Sequence, residues 1–67
     1  MHFIYLSSSD ISAIAINSNN LIIKFNSGGV YEYFGAAKEY NGLIHAGSAG
    51  GYFHKFIKNN YKYKKIS

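Results

Sequence analysis

The chain has 67 residues, with seven lysines, no arginine, three acids, a net charge of +4, and neither cysteine nor proline. A chain this short builds a single core, so residues 1–67 form one domain. The missing cysteine rules out disulfide staples, and His2, His45 and His54 stand too far apart to read as a zinc ligand set.

No stretch approaches the roughly 20 apolar residues of a membrane span. The opening Phe3–Leu6 run has no basic flank and is too short for a leader, which sets the expected address as cytoplasmic with no membrane partner. With disulfides and zinc set aside, oligomerisation is the remaining source of extra stability for so small a core.

The first half alternates apolar and polar residues between turn signals. Phe3–Leu6 reads as a strand ended by Ser7, Ser8, Ser9 and Asp10. Ile11–Ile16 is a second, with Ile14 and Ile16 on one face and Ala13 and Ala15 on the other. Asn17–Asn20 is a turn, because asparagine tolerates left-handed geometry. Leu21–Phe25 follows, then the turn Asn26–Gly29, then Val30–Phe34. The pattern predicts an antiparallel meander of three to four strands.

After Gly35 the period lengthens. Ala36–Ala46 places Tyr40, Leu43 and Ile44 on one helical face, although Asn41 and Gly42 are poor helix formers. Gly47 suits the position past a helix end and Ser48 the cap of the next helix. Beyond it Tyr52, Phe53, Phe56 and Ile57 recur at helical spacing, with Lys55, Lys58 and Lys62 on another face. The residues from Tyr61 to Ile66 read as an extended tail whose Tyr61, Tyr63 and Ile66 can pack back. The expected class is α+β, an antiparallel meander followed by two short helices packed on one face.

These residues resemble a known family. Ser8 and Ser9 before Ile11 and Ile14, then Leu21, Ile23 and Phe25, Ser27 and Gly28, and the central Tyr31, Glu32, Tyr33 are similar to the KTSC domain. Tyr40, Leu43, Ser48, Gly50, Phe53, Ile57, Lys58 and the ending Tyr61, Tyr63, Lys64, Lys65, Ile66 continue the likeness over nearly the whole chain. Two prolines often found in the family are absent: Ala36 and Ala37 stand near one position, and Lys62 stands at the other. The module is named for its occurrence at the C-terminus of some lysyl-tRNA synthetases and also occurs as small stand-alone bacterial and phage proteins. That context implies RNA as a ligand class; no cofactor is expected.

Five of the seven lysines, Lys55, Lys58, Lys62, Lys64 and Lys65, fall in the last thirteen residues, which hold no acid. Such a cationic end attracts phosphate or nucleic acid. Tyr52, Tyr61 and Tyr63 are interleaved with it and offer faces for bases. Ser48 and Gly50, in the Gly47–Gly51 segment before a helix, offer backbone N–H groups to a phosphate, although the Gly-Lys-Ser/Thr ending of a P-loop is missing. The expected ligand is therefore nucleic acid or a small nucleotide, held by Lys55, Lys58, Lys62, Tyr52, Tyr61, Tyr63, Ser48 and Gly50. A nucleotide can equally be sequestered in pockets between subunits of an oligomer, and a purely structural interaction domain would bind neither.

Strand register decides what Tyr31 and Tyr33 do. A two-residue loop at Ser27 and Gly28 buries Glu32 beside Ile23, whereas a loop one residue longer sets Phe25 opposite Tyr31, Ile23 opposite Tyr33 and Lys24 opposite Glu32. The second is cheaper, since an unpaired buried carboxylate costs several kcal/mol, about 3–5 where a buried partner is removed. It also leaves Ile22, Val30 and Phe34, with Ala13 and Ala15, on a face that a one-sided helical layer does not cover. That face is the expected homo-oligomer interface. For catalysis the sequence offers only an imagined ribonuclease-like pair of His45 or His54 with a lysine, or Asp10 with a serine and a histidine. Nothing in the spacing supports either, so no catalytic residue is assigned.

Overall fold

The apolar alternation of the first half does form strands. In the computed structural model, which describes residues 2–67, β1 (Ile4–Tyr5), β2 (Ile11–Asn17), β3 (Asn20–Phe25) and β4 (Val30–Tyr33) follow one another as an antiparallel meander. A 3₁₀ turn over Ala37–Glu39 runs into α1 (Tyr40–His45). The second helical segment is α2 (Ala49–Tyr52) continuing into a π turn over Phe53–Ile57. The tail is more than extended: β5 (Tyr63–Lys65) pairs antiparallel with β4, giving a five-stranded sheet where three to four strands were expected.

Two local devices set which side chains face the helices. The register slips at Ser12, between the pairs Ile11–Phe25 and Ala13–Lys24. This bulge turns Ile11 onto the same face as Ile14, where strict alternation would oppose them. The β3–β4 loop is Asn26, Ser27 and Gly28, closed by hydrogen bonds from Phe25 N to Gly29 O and from Gly28 N to Phe25 O, each 2.9 Å. Gly28 supplies the left-handed residue of this three-residue hairpin, at φ 113°.

The loop is one residue longer than the two-residue alternative, but the added residue is Asn26 rather than Gly29. Ile23 therefore stands opposite Tyr31, Leu21 opposite Tyr33, Ile22 opposite Glu32 and Lys24 opposite Val30. The expected pairs are displaced by two residues, which preserves every side chain's face. Glu32 does not meet Lys24; it accepts hydrogen bonds from Asn17 Nδ2 at 3.1 Å and Asn20 Nδ2 at 2.9 Å. In the β2–β3 turn it is Ser18, not an asparagine, that takes the left-handed conformation.

The core lies between the sheet and one helical layer. Ile11, Ile14, Leu21, Ile23 and Tyr33 pack against Ala36, Leu43, Ala49, Phe53 and Ile57. On the opposite sheet face the expectation of exposed apolar residues is corrected. Ala13, Ala15 and Ile22 have no accessible surface. They are small or central, and the longer side chains of their cross-strand neighbours Tyr5, Lys24 and Glu32 flank them. Ile22 thus offers no area to a second copy and Val30 is half-buried. Of the three named interface residues only Phe34 is open, at 41 % exposure.

Gly42, a poor helix former in sequence terms, has a packing reason. A Cβ there would run into the phenol oxygen of Tyr52, which crosses α1 at this point. Gly47 stands just past the end of α1, as expected, and Ala46 before it leaves the helix in an extended conformation, at φ −69° and ψ 144°. Among the described residues no helix is long and apolar enough to cross a membrane.

Helix propensity alone favours Gly42→Ala by up to about 1 kcal/mol. The clash with Tyr52 reverses the sign, and we expect a net loss of about 1–3 kcal/mol in denaturant unfolding. A stabilised Gly42→Ala protein would show that Tyr52 is not held against α1.

Candidate functional site

Three separate segments converge on one cleft of about 540 Å³. The first is the loop before β2. Ser8 Oγ accepts from the backbone N–H of Asp10 at 3.2 Å and of Ile11 at 3.3 Å. Asn26 then ties this loop to the β3–β4 hairpin, donating from Nδ2 to Ser8 O at 2.8 Å and from its backbone N–H to Asp10 O at 2.9 Å. Ser9 and Asp10 are thereby held on one wall beside Asn26 and Ser27.

The second segment is the π turn. Its widened geometry is closed by the Lys58 N–H bonding Phe53 O at 2.9 Å, which stacks Lys58 above Phe53 instead of rotating it away. His54, Lys58 and Asn59 form the facing wall. The third segment is β5, whose pairing with β4 sets Tyr63 opposite Tyr33 and Lys65 opposite Tyr31, on the face that bears the cleft.

The floor is aromatic. Phe25 meets Tyr31 and Phe53 edge-on at centroid distances of 5.6 and 5.2 Å, and Tyr33 meets Phe53 at 5.5 Å. Tyr63 lies 5.3 Å from Tyr33 and 5.9 Å from Tyr31. Edge-to-face contacts of this kind add about 0.5–1.5 kcal/mol each beyond their buried area, so the floor is stiff. Tyr33 is core as well as floor, with 5 % exposure, whereas Tyr63 is 56 % exposed. Burial first, then the neighbouring phenols of Tyr63 and Tyr31, push the Tyr33 hydroxyl up to about 12.

The sequence-derived site is divided by the fold. Lys58 and Tyr63 line the cleft. Lys55 instead lies over the Phe56 ring, 5.3 Å from its centroid. Lys62 precedes β5 and gives its carbonyl to Phe34 N at 2.8 Å, while Lys64 stands opposite Glu32 on the far face of the sheet.

Tyr52 and Tyr61 are not free platforms. Their hydroxyls both donate to Glu39, at Oε1 and Oε2, each at 2.7 Å. Ser48 caps α2, its Oγ accepting from Gly51 N at 3.1 Å. Gly50 is buried against the Asp10 side chain, so an acid of the chain itself, not a phosphate, stands at that helix start.

Sequence reasoning missed Phe25, Phe53 and Asp10 as lining residues and Lys65 as their neighbour. Cleft and charge share one local signal, the Tyr63–Lys65 pair, but the remaining residues meet only through long-range pairing. Asp10 and His54 do come together in the cleft, which their spacing did not suggest. Among the described residues no side-chain hydrogen bond links them, and the histidine ring that does make one is His45, Nδ1 to Asn41 O at 2.8 Å, outside the cleft. Nor do the described residues contain a group of three or more His, Asp or Glu placed to hold a metal ion.

The architecture is that of small α+β modules in which a β-meander is covered on one face by short helices and completed by a C-terminal strand. The chain belongs to the KTSC domain family, whose model matches residues 7–61. A crystal structure of a KTSC domain protein from Yersinia pestis superposes with a TM-score of 0.90 at 30 % identity, covering 98 % of this chain and 97 % of that one. Lysine–tRNA ligases of Trichormus variabilis and a Nostoc species are 47 % and 45 % identical over 53 residues. The match covers 75 % of this chain but only 9 % of each ligase.

Glu39 gives this fold a pH signature. The Glu39 hydrogen bond, followed by burial, raises the Tyr61 hydroxyl from 10.0 to about 12, and the same causes raise that of Tyr52. A folded state that holds these protons more tightly than the unfolded chain keeps its full stability below pH 10 and loses it as pH climbs through 12. Denaturant midpoints measured from pH 8 to 12 should be level at first and then fall. In Tyr61→Phe the starting stability should be lower and the fall shallower; an identical fall would place the alkaline sensitivity elsewhere.

Proposed function

We propose that this protein is a non-catalytic, cytoplasmic binding module for phosphorylated nucleotide-type ligands, RNA or single-stranded nucleic acid, and that the cleft between the π turn and β5 is where it binds. The observation that carries this reading is the aromatic floor lying beneath the Lys58 wall. Every base has a π-face, and stacking on an aromatic side chain contributes about 1–3 kcal/mol per base. Lys58 and Lys65 supply the ammonium groups for the attached phosphates. The cleft volume falls within the range of about 300–1,000 Å³ typical of small-ligand sites.

The relatives support the ligand class. The curated proteins that share this module are ligases named for tRNA, and the module is a small part of each. The non-catalytic reading is supported by the cleft's own groups. Tyr33 is a poor base at neutral pH with its hydroxyl pushed up to about 12, and among the described residues His54 has no orienting partner of the kind acid–base relays use.

Fluorescence anisotropy with a labelled single-stranded RNA at two salt concentrations tests the proposal. Each phosphate neutralised on a single strand contributes a slope of about −0.7 in log K against log salt, so two lysines predict about −1.4. Lys58→Ala should flatten the slope by about 0.7 and weaken binding about tenfold or more, the size of one charge-assisted contact. Tyr63→Ala should also weaken binding while leaving the slope unchanged. RNA binding indifferent to both substitutions would remove the cleft as the site; no binding at all would leave the structural interaction domain.

A further inference from the structure

The hydroxyl groups of five of the seven tyrosines fall into two sets. Those of Tyr52 and Tyr61 end on Glu39 at 2.7 Å. Those of Tyr31, Tyr33 and Tyr63 make no hydrogen bond within the described residues, although their rings stand in mutual contact at 5.3–6.5 Å between centroids. Tyr33 is only 5 % exposed, yet among the described residues no buried side-chain oxygen or nitrogen is left without a partner. Its hydroxyl must therefore open onto the cleft that the ring helps to line.

Three phenol donors and the Lys58 ammonium thus share one concave surface. Of the other C-terminal lysines only Lys65, opposite Tyr31 on the same sheet face, stands beside it, whereas Lys55 lies on Phe56 and Lys64 is on the far side of the sheet.

From this arrangement, and resting on the functional reading above, we infer that the cleft receives one nucleotide unit bearing a terminal phosphate monoester, with Tyr31, Tyr33, Tyr63 and Lys58 around the phosphate. An internal phosphodiester has two free oxygens and one charge. A monoester presents three acceptor oxygens and a charge of about −1.5 to −2 at neutral pH, which matches three donors and a cation. A continuous strand gains at most one further ammonium, that of Lys65, from this surface, too few for a backbone track. The Tyr33 phenol, pushed up to about 12 chiefly by burial, stays protonated and so remains a donor throughout the neutral range.

Isothermal titration with four probes tests this inference: uridine tetranucleotides carrying a 5′-phosphate, a 3′-phosphate or neither, and uridine 5′-monophosphate. At least one phosphorylated tetranucleotide should bind about tenfold or more tightly than the unphosphorylated one, the size of one charge-assisted contact. Tyr33→Phe and Tyr63→Phe, which remove only the hydroxyl, should each erase most of that gain while the melting temperature stays unchanged. The monophosphate binding as well as the better tetranucleotide would identify a free nucleotide as sufficient; weaker binding would identify a strand end.

Equal affinity for all three tetranucleotides, still lost in Lys58→Ala, would overturn the terminal-phosphate inference and leave the cleft as an RNA site. A phosphate gain that survives both phenylalanine variants would overturn the role of the hydroxyls. Absence of binding by all four probes would overturn the inference and the functional reading together.

Discussion

The carboxylate of Glu39 accepts from two phenols that lie 13 and 22 residues further along the chain. Glu39 closes the 3₁₀ turn, Tyr52 ends α2 and Tyr61 stands two residues before β5, so a single charged group ties together the three parts of the second half. Hydrogen bonds to a charged acceptor contribute roughly 1.5–3 kcal/mol each, a large share for a chain this short. The geometry downstream depends on it. Tyr52 is drawn across α1 closely enough that Gly42 has no room for a side chain, and Tyr61 delivers the chain to the edge of β4 with Tyr63 facing the cleft. Without that second hydroxyl the last strand would be held by its short edge pairing and the Tyr63 ring contacts alone, and that wall of the cleft would loosen.

Much of the meander was legible from local chemistry. Alternation and turn residues placed the first four strands within a residue or two, because both signals act over a few neighbours. The argument that Glu32 should not be buried on the apolar face also held, since it constrains side-chain parity and not the loop. Loop chemistry then chose between registers of equal parity, and the hydrogen-bonding demands of Asn26 and Gly28 settled the hairpin two residues away from the expected pairs. Asn17 and Asn20, read only as turn formers, turned out to satisfy Glu32 as well.

The fifth strand and the closed second face were not legible, for related reasons. Tyr63, Lys64 and Lys65 carry the lysines that keep a sheet edge from pairing with strangers, and the partner strand lies some thirty residues back in sequence. A polar segment without a local hairpin reads as tail. On the second face, the expectation that Ala13, Ala15 and Ile22 need a partner treated each side chain alone. In a sheet, long neighbours on the adjoining strands can cover small residues without any second layer. The candidate site divides along the same line: Lys58 and Tyr63 are visible in the basic, tyrosine-bearing third, whereas Asp10, Phe25 and Phe53 join them only after the meander and the π turn have formed.

This division separates two electrostatic tasks that the sequence presents as one. The net charge of +4 acts at a distance of about one Debye length, about 8 Å at physiological salt, and is nearly indifferent to which face each lysine occupies; it raises encounter rates with any polyanion. Selection requires short-range contacts, and only Lys58 on the cleft wall and Lys65 beside Tyr31 stand near the aromatic floor. A lysine-rich tail is therefore weak information about a site, because steering alone can account for it. A rigid set of rings with open hydroxyls under one ammonium is stronger information, because steering needs neither the rings nor the hydroxyls. On this reasoning, in the binding module proposed above, specificity would rest on the aromatic floor and not on the charge.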